Sequence, residues 1–319
     1  MDTYHYIDYF KEGLPDYIRK IRNNSHIICL DLEDSIQDVI HPENTFSMRE
    51  RSRDMIRKIL SNNIYENEKF ALRINSISST DFDQDIALLS EEKIRTKIYS
   101  LLLPKTESKK ELIAILQILN DKKIEVEEIV LIMETGPALE NINPILSTDN
   151  KRIKKIALGH CDLNLNMGYF PFQHQDSIQY WNWVKYLVNS AETSGIGFIN
   201  SPFLDLNNDD AFNLMLSQLD TICSLPYAQC VLTSHQACLC SEFTGRYYSD
   251  NNFTSSKKDI ILNEIELTEL AIKIIKDYEE YNIKKGFTVT RSERVLISPH
   301  EYISAKNYLT KCAGANIGN

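Results

Sequence analysis

Five short apolar runs in the chain each end in residues that carry or bind charge. Ile27-Ile28-Cys29-Leu30 runs into Asp31-Leu32-Glu33-Asp34, Phe70-Ala71-Leu72 into Arg73, and Leu101-Leu102-Leu103 into Pro104-Lys105. Ile129-Val130-Leu131-Ile132-Met133 runs into Glu134, and Ile156-Ala157-Leu158-Gly159 into His160-Cys161-Asp162. Carboxylates at such positions suit a divalent cation, and an arginine suits an anion. Apolar runs that each stop at a polar residue read as buried strands whose chemistry gathers at one rim of a barrel.

Each of these residues also has a plainer reading. Asp31 and Glu33 fall on one side of a strand end and Leu32 on the other. Crowded carboxylates repel, so a nearby cation or a shared proton is expected, which suits acid–base work. Asp34 and Ser35 are equally good helix N-caps. Arg73 can grip a carboxylate at two points while facing an enolate oxygen, or it can pair with Asp31 or Glu33 across the rim. Glu134 and Asp162 are either cation ligands or two solvated acids at strand ends. Lys105 can neutralise a substrate carboxylate or phosphate, or pair with Glu107 or Glu134. His160 can act as an acid, although a structural histidine is the default. Cys230, His235, Cys238 and Cys240 lack the spacing of a zinc site, and no second cysteine pair follows. Gly195-Ile196-Gly197 is not a dinucleotide fingerprint.

The elements that must position these residues alternate. Strands are expected at 26–32, 69–74, 98–103, 129–134, 154–159, 196–200 and 228–234, with an aromatic-rich eighth at 4–10. Helices are expected at 48–61, 108–120 and 177–194, the last stopped by Gly195. Strand–helix alternation with eight units gives an α/β fold, the TIM (β/α)8 barrel, over residues 1–243. Residues 244–258 are polar and read as a loop or hinge. A long helix at 260–282, a short strand pair from Gly286 and a helix from Pro299 to about 311 then form a C-terminal helical extension over 244–319, expected as a lid or an oligomerisation element.

The chain has 319 residues, enough for one large domain or two small ones, with 43% hydrophobic and 25% charged residues. A formal net charge of -10 argues against a nucleic-acid partner. An anionic substrate then needs local positive charge from a metal, Arg73 or Lys105. Met1-Asp2-Thr3-Tyr4-His5 has no basic region before an apolar core, so no secretory signal is expected. No apolar run approaches the ~18 residues of a membrane span. Seven cysteines without framework spacing read as reduced thiols of a cytoplasmic protein.

Taken in order, Asp31-Leu32-Glu33-Asp34-Ser35, Leu72-Arg73-Ile74-Asn75, Leu103-Pro104-Lys105-Thr106-Glu107-Ser108, Ile132-Met133-Glu134-Thr135 and Gly159-His160-Cys161-Asp162-Leu163 resemble the citrate lyase beta-subunit-like proteins. That group lies in the wider aldolase/citrate lyase family of the phosphoenolpyruvate/pyruvate superfamily, with malyl-CoA lyases and pyruvate-dependent class II aldolases. The resemblance covers roughly residues 26–312. It implies a TIM barrel, a trimer or hexamer, and Mg2+-dependent making or breaking of a carbon–carbon bond through an enolate of a small keto-acid or hydroxy-acid. It also implies that Glu134 and Asp162 are the metal ligands and that Arg73 contacts the keto-acid. Asp31, Glu33 and Asp34 match the acidic cluster near the metal.

The chain departs from the family pattern at four places. The first strand, Tyr4-His5-Tyr6-Ile7-Asp8, lacks the arginine that helps hold coenzyme A. Cys161 stands where a glutamate usually precedes the second ligand, and a His-Pro-x-Gln pattern is reduced to His235-Gln236. Ile297-Ser298 precede Pro299 where relatives carry an aspartate that serves a neighbouring subunit. A divergent member with a changed substrate is expected. A CoA thioester is the family-average partner, which these departures weaken. The rivals are a CoA-independent aldolase or synthase and a non-catalytic ligand-binding barrel.

Overall fold

Eight parallel strands close into a barrel in chain order, each neighbour hydrogen-bonded to the next and β8 to β1. The strands are β1 (Asp2–Tyr6), β2 (Ile27–Asp31), β3 (Phe70–Arg73), β4 (Ile98–Leu103), β5 (Glu128–Met133), β6 (Ile153–Leu158), β7 (Gly197–Asn200) and β8 (Tyr227–Val231). The computed structural model describes residues 1–24, 26–149, 151–245, 262–281, 286–290 and 295–315. This is the expected TIM-barrel-like fold, and the seven aliphatic strands match to within one residue at each end, except that β8 stops at Val231, three residues short of the expected 234.

The aromatic eighth strand is present but spans residues 2–6 rather than 4–10, and it closes the barrel between β2 and β8. It is aromatic because it fills the bore. Tyr4 is fully buried among Cys29, Ala71, Ala157, Ala228 and Cys230, small residues that leave room for a ring. At the base of the bore Tyr4 and Ser100 donate to Glu128, which also pairs with Lys155.

Helices α1 (Leu14–Ile21), α2 (Thr45–Leu60), α3 (Phe82–Ser90), α4 (Glu92–Arg95), α5 (Lys109–Asp121), α6 (Gly136–Glu140), α7 (Ile142–Leu146), α8 (His160–Asn166), α9 (Ile178–Thr193), α10 (Asp209–Ile222) and α11 (Ser234–Glu242) surround the barrel. The outward strand residues pack against their apolar stripes: Leu131 and Met133 share one core with Leu112, Ile115, Leu116 and Leu119 of α5. Because alternate residues face opposite ways, the same strands present Ile27, Cys29 and Asp31, or Ala71 and Arg73, to the bore. That alternation carries Asp31 and Arg73 to its C-terminal mouth.

The extension supplies α12 (Glu264–Tyr281), the hairpin β9 (Thr288–Val289) with β10 (Leu296–Ile297), and α13 (Pro299–Ala315). The loop expected at 244–258 lies, from 246 on, outside the described residues, as does the start of the helix expected at 260. The extension rests on the barrel mouth. Leu296 N donates to Leu204 O at 2.9 Å, Ser304 Oγ to Tyr169 O at 2.9 Å, and Phe170 stacks on Tyr308 at 4.9 Å. Gly286 has φ 74°, and a Cβ there would meet Ser35 O at 2.5 Å, so only glycine lets the hairpin approach the acidic loop. Among the described residues, no helix is long and apolar enough to cross a membrane.

Candidate active site at the barrel mouth

The strand ends bring the sequence candidates together. Arg73, at the end of β3, holds Asp31, at the end of β2, with two hydrogen bonds: Nε to Oδ1 at 2.7 Å and Nη2 to Oδ2 at 2.6 Å. Its Nη1 reaches Asp34 Oδ2 at 3.0 Å and lies 3.1 Å from Glu33 Oε2. Asp31 also accepts from the backbone N–H of Glu33 and Ser35, both at 3.0 Å. Both of its oxygens are thus committed, and it acts as the residue that orients Arg73 and the loop. The pairing of Arg73 with Asp31 and Glu33 is therefore present, and the guanidinium stays at the mouth.

Residues 35–41 form no helix, so Asp34 is not an N-cap. It points into the mouth instead. Lys105 lies at the centre: its Nζ is 2.7 Å from Glu33, 3.4 Å from Asp34 and 3.0 Å from Asp162. It does not pair with Glu107. It meets Glu134 through its backbone N–H, which donates to Oε1 at 3.0 Å. The left-handed backbone of Lys105 (φ 49°) serves both contacts at once. Glu134 Oε2 is buried and accepts no hydrogen bond. Behind it sits Gly159, where a Cβ would come within 2.4 Å of that oxygen.

His300, in the first turn of α13, was not among the residues singled out from sequence. Its Nε2 lies 3.1 Å from Asp162 Oδ1 and 3.5 Å from Asp34 Oδ1. Asp34, Asp162 and His300 offer ligand atoms all within 4.8 Å of one another, the one such group among the described residues. The Cys230–His235–Cys238–Cys240 zinc reading has no counterpart: His235 bonds Asp209 at 2.8 Å, and Cys238 donates to Glu242 at 3.2 Å. His160 is buried and faces His174 at 3.2 Å, which in turn lies 3.8 Å from Glu301.

The charges at the mouth are unequal. Burial, then Asp34, pushes Glu33 up to about 8. Burial, then Asp162 and Glu33, holds Glu134 well above the usual carboxylate range. Burial opposes ionisation of Asp34 too, but Arg73, His300 and Lys105 outweigh it and hold its carboxyl low. Burial works against charge on His300, yet Asp162 and Asp34 push it up to about 10. Five carboxylates thus share two permanent cations, and two of the five resist losing a proton. A further groove of about 770 Å³ opens at the opposite end of the barrel, lined by charges of both signs such as Glu68, Lys69, Arg95, Glu127 and Arg152, and none of the mouth residues borders it.

The family model for HpcH/HpaI aldolase/citrate lyase matches residues 22–219, more than half of the chain. The chain belongs to that family. Among curated proteins, none has a sequence that matches it. Several solved structures share its fold. Haloferax volcanii malate synthase, in a ternary complex with pyruvate and acetyl-CoA, superposes with a TM-score of 0.70 over 97% of this chain and 89% of its own, at 12% identity. The citrate lyase beta subunit of Mycobacterium tuberculosis, complexed with oxaloacetate and magnesium, gives 0.57 over 74% and 93%, at 15% identity. RipC from Yersinia pestis gives 0.57 over 76% and 93%, at 18% identity. At such identities these likenesses speak for the fold alone.

Proposed function

We propose that the chain is a divalent-metal-dependent carbon–carbon lyase or aldolase that acts on a small keto-acid or hydroxy-acid through an enolate. The observation that carries this reading is the Asp34–Asp162 carboxylate group at the mouth, together with the buried Glu134 oxygen, which lies outside that group, has no partner and feels the charge of Asp162. Hard oxygen donors in that number fit a dication and are costly without one. Glu134 and Asp162 would hold it, with Asp34 within reach. When bound, such a cation supplies Lewis-acid charge that stabilises an enolate.

The chain's own residues supply the rest. Arg73, held rigid by Asp31 and Asp34, places a fixed positive charge beside a bound carboxylate or a developing enolate. Lys105 provides a second positive group for an anionic substrate. Glu33, whose carboxyl is pushed up to about 8 by burial and by Asp34, holds its proton near neutral pH and can give it up. The extension over the mouth limits water. The ligands of the structural neighbours, oxaloacetate for one and pyruvate for another, support a small keto-acid. The first strand without an arginine supports a partner other than a CoA thioester.

Enolisation is the half-reaction to test, because it needs no knowledge of the second substrate. Pyruvate in D2O should exchange its C3 methyl protons far faster with enzyme and metal together than with either alone, followed by proton NMR. Glu134→Gln should abolish the exchange. Exchange that ignores both chelator and Glu134→Gln, or no exchange with any small keto-acid, would count against the reading.

A further inference from the structure

We infer that His300 is a metal ligand and that the site takes a divalent first-row transition ion in preference to magnesium; this rests on the metal-dependent reading above. His300 pairs directly with Asp162 and Asp34, and the spacing of these atoms also suits neighbouring ligands around one ion. Bonds of about 2.1 Å at right angles put adjacent donors about 3 Å apart, and His300 Nε2 stands 3.1 Å from Asp162 Oδ1 and 3.5 Å from Asp34 Oδ1. Lys105 Nζ stands over the same two oxygens at 3.0 and 3.4 Å, so a positive charge already occupies that edge. His300 is 5% exposed, and its Nδ1 has no hydrogen-bond partner. What fixes the ring is the direction of Nε2, into the carboxylates.

The helix start explains why the ring is delivered there. Ser298 Oγ accepts from Glu301 N at 3.0 Å, and Pro299 opens the helix, so His300 lies in the first turn. Glu301, beside it, reaches toward His174 on the barrel side. An imidazole nitrogen changes the ion the site prefers. Magnesium selects hard oxygen donors, whereas cobalt, iron, nickel and zinc gain from nitrogen. The sets that bind through oxygen alone would lie wholly on the barrel; this one also ties the extension to it.

The test uses the full chain, stripped with a chelator and titrated with Co2+ alone and with Mg2+ alone by calorimetry. Co2+ should bind at least about tenfold more tightly than Mg2+. His300→Gln should lose about tenfold or more in Co2+ affinity while Mg2+ affinity changes less. The Co2+-loaded parent should show strongly shifted proton NMR signals from a bound imidazole, absent in His300→Gln. If His300→Gln does not fold, those signals in the parent decide alone. Tight binding of both ions with no shifted imidazole signal, or equal losses of both in His300→Gln, overturns this inference and leaves the lyase reading standing. Failure of the parent to bind either ion overturns both.

Discussion

Gly159→Ala isolates the backbone contact that places Glu134. Gly159 has φ -97°, which alanine adopts without strain, so the substitution adds a methyl group and little else. That methyl would lie 2.6 Å from Glu134 Cβ, 2.4 Å from its Oε2 and 3.0 Å from Ile132 Cγ2. Carbons in contact rest about 3.5–4.0 Å apart, so the end of β5 must retreat by about 1 Å. Rotation of the Glu134 side chain clears the oxygen but not its Cβ. Overpacking of this kind costs about 1–3 kcal/mol, and alanine for glycine at the α8 N-cap adds about 0.5–1 kcal/mol, giving about 2–3 kcal/mol. Urea unfolding of the metal-free protein at pH 7 measures it. In a Glu134→Gly background both short contacts to residue 134 vanish, and the same methyl should cost less than about 0.5 kcal/mol beyond the cap effect. The cap effect cancels across the cycle, so the coupling is the overpacking cost of about 2 kcal/mol less about 0.5, or about 1.5 kcal/mol. A Gly159→Ala protein as stable as its parent, or one equally destabilised in both backgrounds, refutes the argument.

Three further perturbations follow from the same reasoning. Burial lowers His5 to about 4 from the usual 6.5; below pH 6.5 the unfolded chain binds a proton that the folded chain refuses, so stability is full above 6.5 and falls by up to about 3 kcal/mol as pH drops toward 4. Urea midpoints at pH 5 and 7 should show about 2 kcal/mol of that loss in the parent and a smaller one in His5→Gln. At the barrel base, Glu128→Leu leaves Lys155 without its partner and should cost about 3 kcal/mol. Adding Lys155→Met should recover much of that, and strictly additive losses would argue that the pair is not coupled. At the mouth, Lys105→Met should lower the melting temperature of the metal-free protein while raising Mg2+ affinity, because the ammonium and the dication claim the same oxygens; weaker Mg2+ binding would show instead that Lys105 assists it.

The barrel was legible because its strands are buried on both faces and so read as unbroken aliphatic runs. β1 was the weak case for a physical reason: Tyr4 and Tyr6 line the bore opposite Ala71, Ala157 and Ala228, a complementarity that only the closed barrel reveals. The mouth was legible through the residue that ends each run, since Asp31, Arg73, Lys105, Glu134 and Asp162 follow consecutive strands. Asp34 reads evenly as cap or site in the sequence, and the chain after it forms no helix, which removes the cap reading. His300 was missed because its neighbours in sequence are ordinary and its partners lie on β2 and β6 loops far along the chain. One signal was present: Ser298-Pro299-x-Glu301 has the form of a capping box with proline at the first helical position, which places residue 300 in a first helical turn.

Lys105 joins these features in one electrostatic argument. Crowded buried carboxylates can be relieved by protons, by a basic side chain or by a metal ion. The mouth uses the first two. Glu33 and Glu134 resist ionisation, and Lys105 sits among Glu33, Asp34 and Asp162 with burial opposing its charge and the carboxylates outweighing that opposition. A non-glycine residue at positive φ stores about 1 kcal/mol or more and persists only where its surroundings demand it. Here the demand is double: the Lys105 N–H must meet Glu134 Oε1 while its Nζ meets the other acids. A purely structural ion pair would need only the second contact. Holding both Glu134 and the ammonium at one turn ties the position of an unpaired buried oxygen to the position of a displaceable cation, which is the arrangement expected of a site that exchanges one positive charge for a larger one.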